Sequence, residues 1–149
     1  MMKKLSAIVL VAQLGWLSMS LAAPAQTSSN RCANAVRSAK TRLSGERNMP
    51  VQIEVENISR RYRNPPSSRG LVFQVEGARG ENIMNSPRML LGISQTVLGK
   101  CPDLGTVTFY LSQSDWLKVY GAVNGRVKEF ACLMPTDRYR PAWGQRFCA

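Results

Sequence analysis

Apolar residues recur along this chain with two periods, and the switches between them mark its elements. Cys32, Val36, Ala39 and Leu43 fall at offsets of four, three and four, the spacing of one helical face. Ser28 or Ser29 stands where a helix N-cap belongs, and Gly45 where a helix stops. Arg31, Arg37, Lys40 and Arg42 flank the stripe, so this helix turns its cations to solvent and Cys32 inward. Val51, Ile53 and Val55 then alternate with Gln52, Glu54 and Glu56, the period of a strand with one face in water. Ile58 and Tyr62 take the opposite parity, which predicts a bulge near Glu56 and Asn57 or the end of the strand. The run Asn64-Pro65-Pro66-Ser67-Ser68 has turn composition, and Leu71, Phe73 and Val75 alternate as a returning strand, which makes a hairpin.

The pattern then repeats at coarse scale. Residues 77–82 read as a glycine-rich loop, Ser86 as a cap and Pro87 as the first position of a second helix. Leu90, Ile93 and Val97 mark its buried face and Gly99 its end. Gly92 in its middle costs roughly 1 kcal/mol against alanine, which close packing on a sheet would account for. Val107, Phe109 and Leu111 define a third strand, and Leu117, Val119 and Val123 a fourth. Asn124-Gly125 is a two-residue hairpin turn into a fifth strand that runs to about Met134. That turn sets Val119 opposite Phe130 and Leu117 opposite Cys132 on the core side, with Tyr120 and Glu129 paired on the other. The expected fold is α+β, an antiparallel sheet with two helices packed on one face in the order α-β-β-α-β-β-β. It reads as two helix-plus-hairpin units without a residue-level repeat.

The first residues belong to none of these elements. Lys3 and Lys4 precede an apolar run from Leu5 to Leu21, and Ala22-Ala23-Pro24-Ala25 supplies small residues after it. This order predicts a signal peptide over 1–25 and one mature domain over 26–149. An uncleaved anchor is the competing reading, because the run is nearly as long as a bilayer span. No cysteine follows the cleavage region until Cys32, which argues against lipoprotein attachment.

Cys32, Cys101, Cys132 and Cys148 all follow that point, at spacings of 69, 31 and 16, and the chain has no histidine. Structural zinc wants close cysteine or histidine pairs, so two disulfides formed in an oxidising compartment are expected instead. An antiparallel meander separates Cys101 from Cys132 by a strand about 26 Å long, against the roughly 7 Å a disulfide allows. Two pairings remain: Cys32 to Cys101 with Cys132 to Cys148, or Cys32 to Cys132 with Cys101 to Cys148. The first is preferred because it ties down the C-terminal tail.

Charge narrows the function. The full chain carries a net charge of +11, and loss of Lys3 and Lys4 leaves 18 basic against 9 acidic residues, 14 of the 18 being arginine. Arginine's planar fork grips phosphate, sulfate or carboxylate with two prongs. Two segments concentrate it beside aromatic rings: Arg60-Arg61-Tyr62-Arg63 with Arg69 beyond the turn, and Arg138-Tyr139-Arg140 leading to Trp143 and Arg146. The anion-binding candidates are therefore Arg60, Arg61, Arg63, Arg69, Arg138 and Arg140, with the first hairpin foremost. Tyr139, Trp143 and Phe147 have a plainer use, packing the tail beside the Cys148 bridge.

Enzymatic readings fare poorly. Without histidine the commonest general base is missing, and the cysteines are committed to disulfides. Glu54 and Glu56 share a strand face and leave a two-carboxylate hydrolase as the open catalytic route. No cofactor or metal motif is present, and no helix-turn-helix spacing or RNA-binding aromatic signature supports a dedicated nucleic-acid role. The expectation is an exported, non-catalytic binding module for an anionic surface or polyanion: acidic polysaccharide, anionic lipid or cell-wall phosphate. The alternative is an inhibitor or assembly partner of an acidic exported protein. Membrane contact after cleavage would be peripheral.

The segment from Cys101-Pro102-Asp103-Leu104-Gly105 through Asp115-Trp116, Tyr120-Gly121, Asn124-Gly125 and Phe130-Ala131-Cys132 resembles uncharacterised small exported proteins of cyanobacterial type. The resemblance covers the last third of the chain. It implies a periplasmic or secreted home and carries no activity or site residue.

Overall fold

The computed structural model describes residues 24–45, 49–134 and 140–148. The expected signal peptide as far as Ala23, and Arg138 with Tyr139, lie outside them. The four-three-four stripe builds α1 (Pro24–Ser44), which begins several residues before the expected serine cap. Gly45 ends it by donating its N–H to the Thr41 carbonyl at 3.0 Å. Two antiparallel strands follow, β1 (Gln52–Asn57) and β2 (Arg69–Val75), in a continuous register from Gln52 opposite Gln74 to Asn57 opposite Arg69.

The expected loop after β2 is instead a short helix, α2 (Gly77–Met84). Gly77 enters it at φ +64°, and a Cβ on Gly80 would sit 2.6 Å from Leu111 Cδ1, so the helix lies flush on the sheet and buries Ile83 and Met84. Next comes α3 (Pro87–Lys100) with proline in its first turn. Ser86 does not cap it through its side chain but donates its hydroxyl to the Asn82 carbonyl at 2.8 Å, closing α2. Gly92 does not lie against the sheet; the nearest atom a Cβ would meet is Arg42 Nη1 at 3.9 Å, on the side of α1.

Strands β3 (Leu104–Leu111), β4 (Leu117–Val123) and β5 (Arg126–Glu129) form an antiparallel meander. Its second turn puts Asn124 and Gly125 at φ +54° and +74°, as the dipeptide predicts. The sheet order is β1-β2-β3-β4-β5, and β2 runs parallel to β3 because α2 and α3 cross over between them. The sheet is therefore mixed, though mostly antiparallel. The fifth strand also stops early: β6 (Ala131–Leu133) leaves the sheet to pair in parallel with β7 (Gln145–Phe147), so Leu117 does not face Cys132.

Both faces of the sheet are covered. Leu71, Phe73, Val75, Val107, Phe109, Leu111 and Tyr120 pack with Leu43, Leu90, Ile93 and Val97 in the main core beneath the helices. On the opposite face Ile58, Tyr62, Val119 and Phe130 form a second cluster, joined by Leu117, Val123 and Trp143. The parity expected for β4 is thus inverted. Val119 does meet Phe130, but on the far face, while Tyr120 belongs to the helix-side core. The slip at Ile58 is the strand's end, and it sends Ile58 and Tyr62 across to that far face. Ile53 and Val55 face the helix side yet stay 37% and 50% exposed, because the helix layer does not extend over edge strand β1.

Cys32–Cys101 and Cys132–Cys148 are the two disulfides, with Cα separations of 4.7 and 5.1 Å. The first fastens α1 to the end of α3, and the second closes the tail onto β6. Two such bonds fit an oxidising compartment. No helix among the described residues is long and apolar enough to cross a membrane.

Candidate anion-binding site

The second cluster forms the floor of a cavity of about 400 Å³. Its position follows from the chain's path between β1 and β2. Ile58 anchors that connection, receiving the Arg61 N–H at 3.0 Å and the Tyr62 N–H at 3.3 Å on its carbonyl. This tight turn drives the Tyr62 ring into the sheet and leaves Arg60 and Arg61 at the rim. The opposite wall is the C-terminal tail. Arg63 donates its backbone N–H to the Pro141 carbonyl at 3.0 Å, so the two segments are stitched together.

Trp143 fastens the tail from below. Its indole N–H donates to the Ala122 carbonyl at 2.7 Å, and its ring meets Phe130 and Tyr62 edge-on, with centroids at 4.9 and 5.6 Å. Gly121 makes room for this cluster, since a Cβ there would lie 2.6 Å from the Phe130 ring.

Arg60, Arg61, Arg140 and Arg146 thus converge on one cavity with Tyr62, Leu117, Val119, Pro141 and Phe147. Their charges are unevenly satisfied. Arg61 pairs with Glu56 at 2.8 Å, and Glu56 also accepts the Thr108 hydroxyl at 3.2 Å. Arg60 and Arg140 form no ion pair among the described residues. Arg146 donates from Nη1 to the Phe147 carbonyl at 3.1 Å, while its Nε is buried and has no acceptor among the described residues. Burial pushes the Tyr62 phenol up, against the pull of the Arg61 guanidinium, so it stays a neutral hydrogen-bonding group.

Comparison with protein-family models, curated proteins and solved structures gave no match. The site therefore stands on its geometry.

The structure divides the sequence candidates. Arg60 and Arg61 come together with Arg140, which lies far along the chain from them. Arg63 serves the stitch between the segments, and its side chain is not part of the cavity lining. Arg69 sits elsewhere, beside the Cys32–Cys101 disulfide and Asp103 in a separate cavity of about 500 Å³. Arg138 lies outside the described residues. Arg146 joins the set from the tail motif. Leu117 and Val119 could not be foreseen as lining, because their alternation was assigned to the main core.

Glu54 and Glu56 share a face of β1 but differ in their partners. Glu56 is held by Arg61, and Glu54 is exposed on the β1 edge. No cluster of three histidine, cysteine, aspartate or glutamate side chains among the described residues could hold a metal ion.

Proposed function

We propose that the chain is an exported binding module for an acidic saccharide, held in the cavity between the 58–63 turn and the tail. The observation that carries this reading is the convergence of four arginines on a concave site floored by aromatic and aliphatic side chains. A guanidinium pairs with a carboxylate or sulfate group, while the apolar floor accepts the face of a ring. The cavity volume is that of a small-ligand site. The concave shape of the site suits a discrete anionic group on a compact ring better than a flat lipid surface. The chain's excess positive charge would speed the approach of any such polyanion.

The test is calorimetric titration with a sulfated oligosaccharide, with anionic lipid vesicles and inorganic phosphate as parallel probes. Charge-assisted hydrogen bonds contribute about 1.5–3 kcal/mol each, so Arg60→Ala with Arg140→Ala should weaken saccharide binding by about a hundredfold or more. The double variant should also flatten the salt dependence. Unchanged affinity and an unchanged salt slope would sink the proposal; vesicle binding without saccharide binding would replace the ligand class.

A further inference from the structure

We propose that the chain assembles head to tail with copies of itself, edge strand β1 of one copy pairing with edge strand β5 of the next. These are the two open edges of the five-stranded sheet. Strand directions permit the match. β1 opposes β2, β2 and β3 run together, and β3, β4 and β5 alternate, so β1 and β5 point in opposite directions. A second copy placed alongside, its helices on the same side, therefore offers β5 antiparallel to β1.

The backbone groups are in phase. Ile58 donates its N–H to the Ser68 carbonyl at 2.8 Å, which fixes the alternation along β1 and turns the amides of Ile53 and Val55 away from β2. Phe130 donates likewise to the Val119 carbonyl at 2.8 Å, turning the amides of Val127 and Glu129 away from β4. When Val55 pairs with Val127 of the next copy, both residues present outward backbone groups and both side chains lie on the helix side. Val55 is half exposed in the single chain, and this contact covers it.

The same register aligns charge on the opposite face. Glu54 comes opposite Lys128 of the next copy, and Glu56 opposite Arg126. Glu54, Arg126 and Lys128 form no ion pair among the described residues. Ile53 comes opposite Glu129, whose carboxylate is already engaged by Lys118 and Tyr120. Pairing β1 with a second β1 would instead set glutamates against glutamates. β1 also carries neither proline nor lysine, residues that commonly blunt an open edge. A contact between unlike edges does not close on itself and gives open-ended assemblies.

Sedimentation of the disulfide-bonded chain tests this. The mean mass should rise with concentration, and more so at low salt. Val55→Pro and Val127→Pro each remove an outward N–H while sparing the internal ladder. Each variant alone should sediment as a monomer with an unchanged near-ultraviolet circular dichroism spectrum. Their equimolar mixture should stop at a dimer of twice the monomer mass, because each supplies the edge the other lacks. As a backbone-neutral pair, Glu54→Lys and Lys128→Glu should each weaken assembly several-fold, and their combination in one chain should restore it. A parent chain that stays monomeric at every concentration overturns the proposal, and so does a Val55→Pro variant that assembles like the parent.

Discussion

Tyr120 shows how one side chain can couple the core to pH. Its ring packs edge-on against Phe109 at 5.8 Å, and its hydroxyl donates to Glu129 at 3.3 Å, near the Lys118 ammonium at 3.4 Å from the same oxygen. Burial raises the phenol's pKa well above its ordinary value of 10.0, and the Glu129 carboxylate adds to the rise. A pKa raised by folding favours the protonated phenol in the folded state. The stability it contributes is complete below pH 10 and is lost as pH climbs above that value toward the folded pKa. Tyr120→Phe keeps the ring and removes the proton. Near neutral pH the variant should be less stable by about 1 kcal/mol, one hydrogen bond's worth. Above pH 10 the gap should close, because the parent alone bears this alkaline loss. Urea unfolding of both proteins across that range checks it, and parallel curves would refute the coupling.

At the scale of elements, periodicity was readable where only one face of the element carries the large apolar side chains. α1, α3, β2 and β3 each bury the stripe that their spacing marks. It misled in β4, where both faces carry such side chains: Val119 and Tyr120 are each buried against a different core, and alternation cannot say which core holds the helices. α2 was illegible for another reason: Gly77 and Gly80 lower helix propensity, and what selects glycine at Gly80 is contact with Leu111, a long-range fact. The two arginine-rich segments were visible, but their meeting depends on Trp143 and on the Arg63 stitch to Pro141. Trp143→Ala should therefore do more than cut a cavity. Beyond a loss of about 3 kcal/mol, as large aromatic truncations give, it should free the tail, raise amide exchange across β6 and β7, and weaken oligosaccharide binding. Amides of α3 and β3 should retain their protection. If α3 exchanges as fast as the tail, the two cores are a single cooperative unit and the assignment of Trp143 to the second is wrong.

For the whole molecule, the two disulfides do different work. Cys32–Cys101 spans 69 residues and includes Cys101, which is fully buried, whereas Cys132–Cys148 spans 16 and leaves Cys132 exposed. Closing the longer loop removes more freedom from the unfolded chain, about 4 kcal/mol against about 3 for the shorter in the chain-entropy description. The shorter bond carries a local duty as well. It holds β7 beside β6, and the tail it closes supplies Arg140, Arg146 and Phe147 to the arginine cavity. Limited reduction of the folded protein should therefore expose Cys132 and Cys148 to alkylation first. Replacing both by serine should lower the denaturant midpoint modestly and weaken saccharide binding at least tenfold, the tail's arginines having lost their fixed positions. Replacing Cys32 and Cys101 should reverse that balance, with a larger fall in stability and near-parent affinity in whatever fraction stays folded. Alkylation of Cys101 before Cys132 would overturn the order of reduction, and full affinity without the tail bridge would show that Trp143 and its ring contacts alone hold the tail in place.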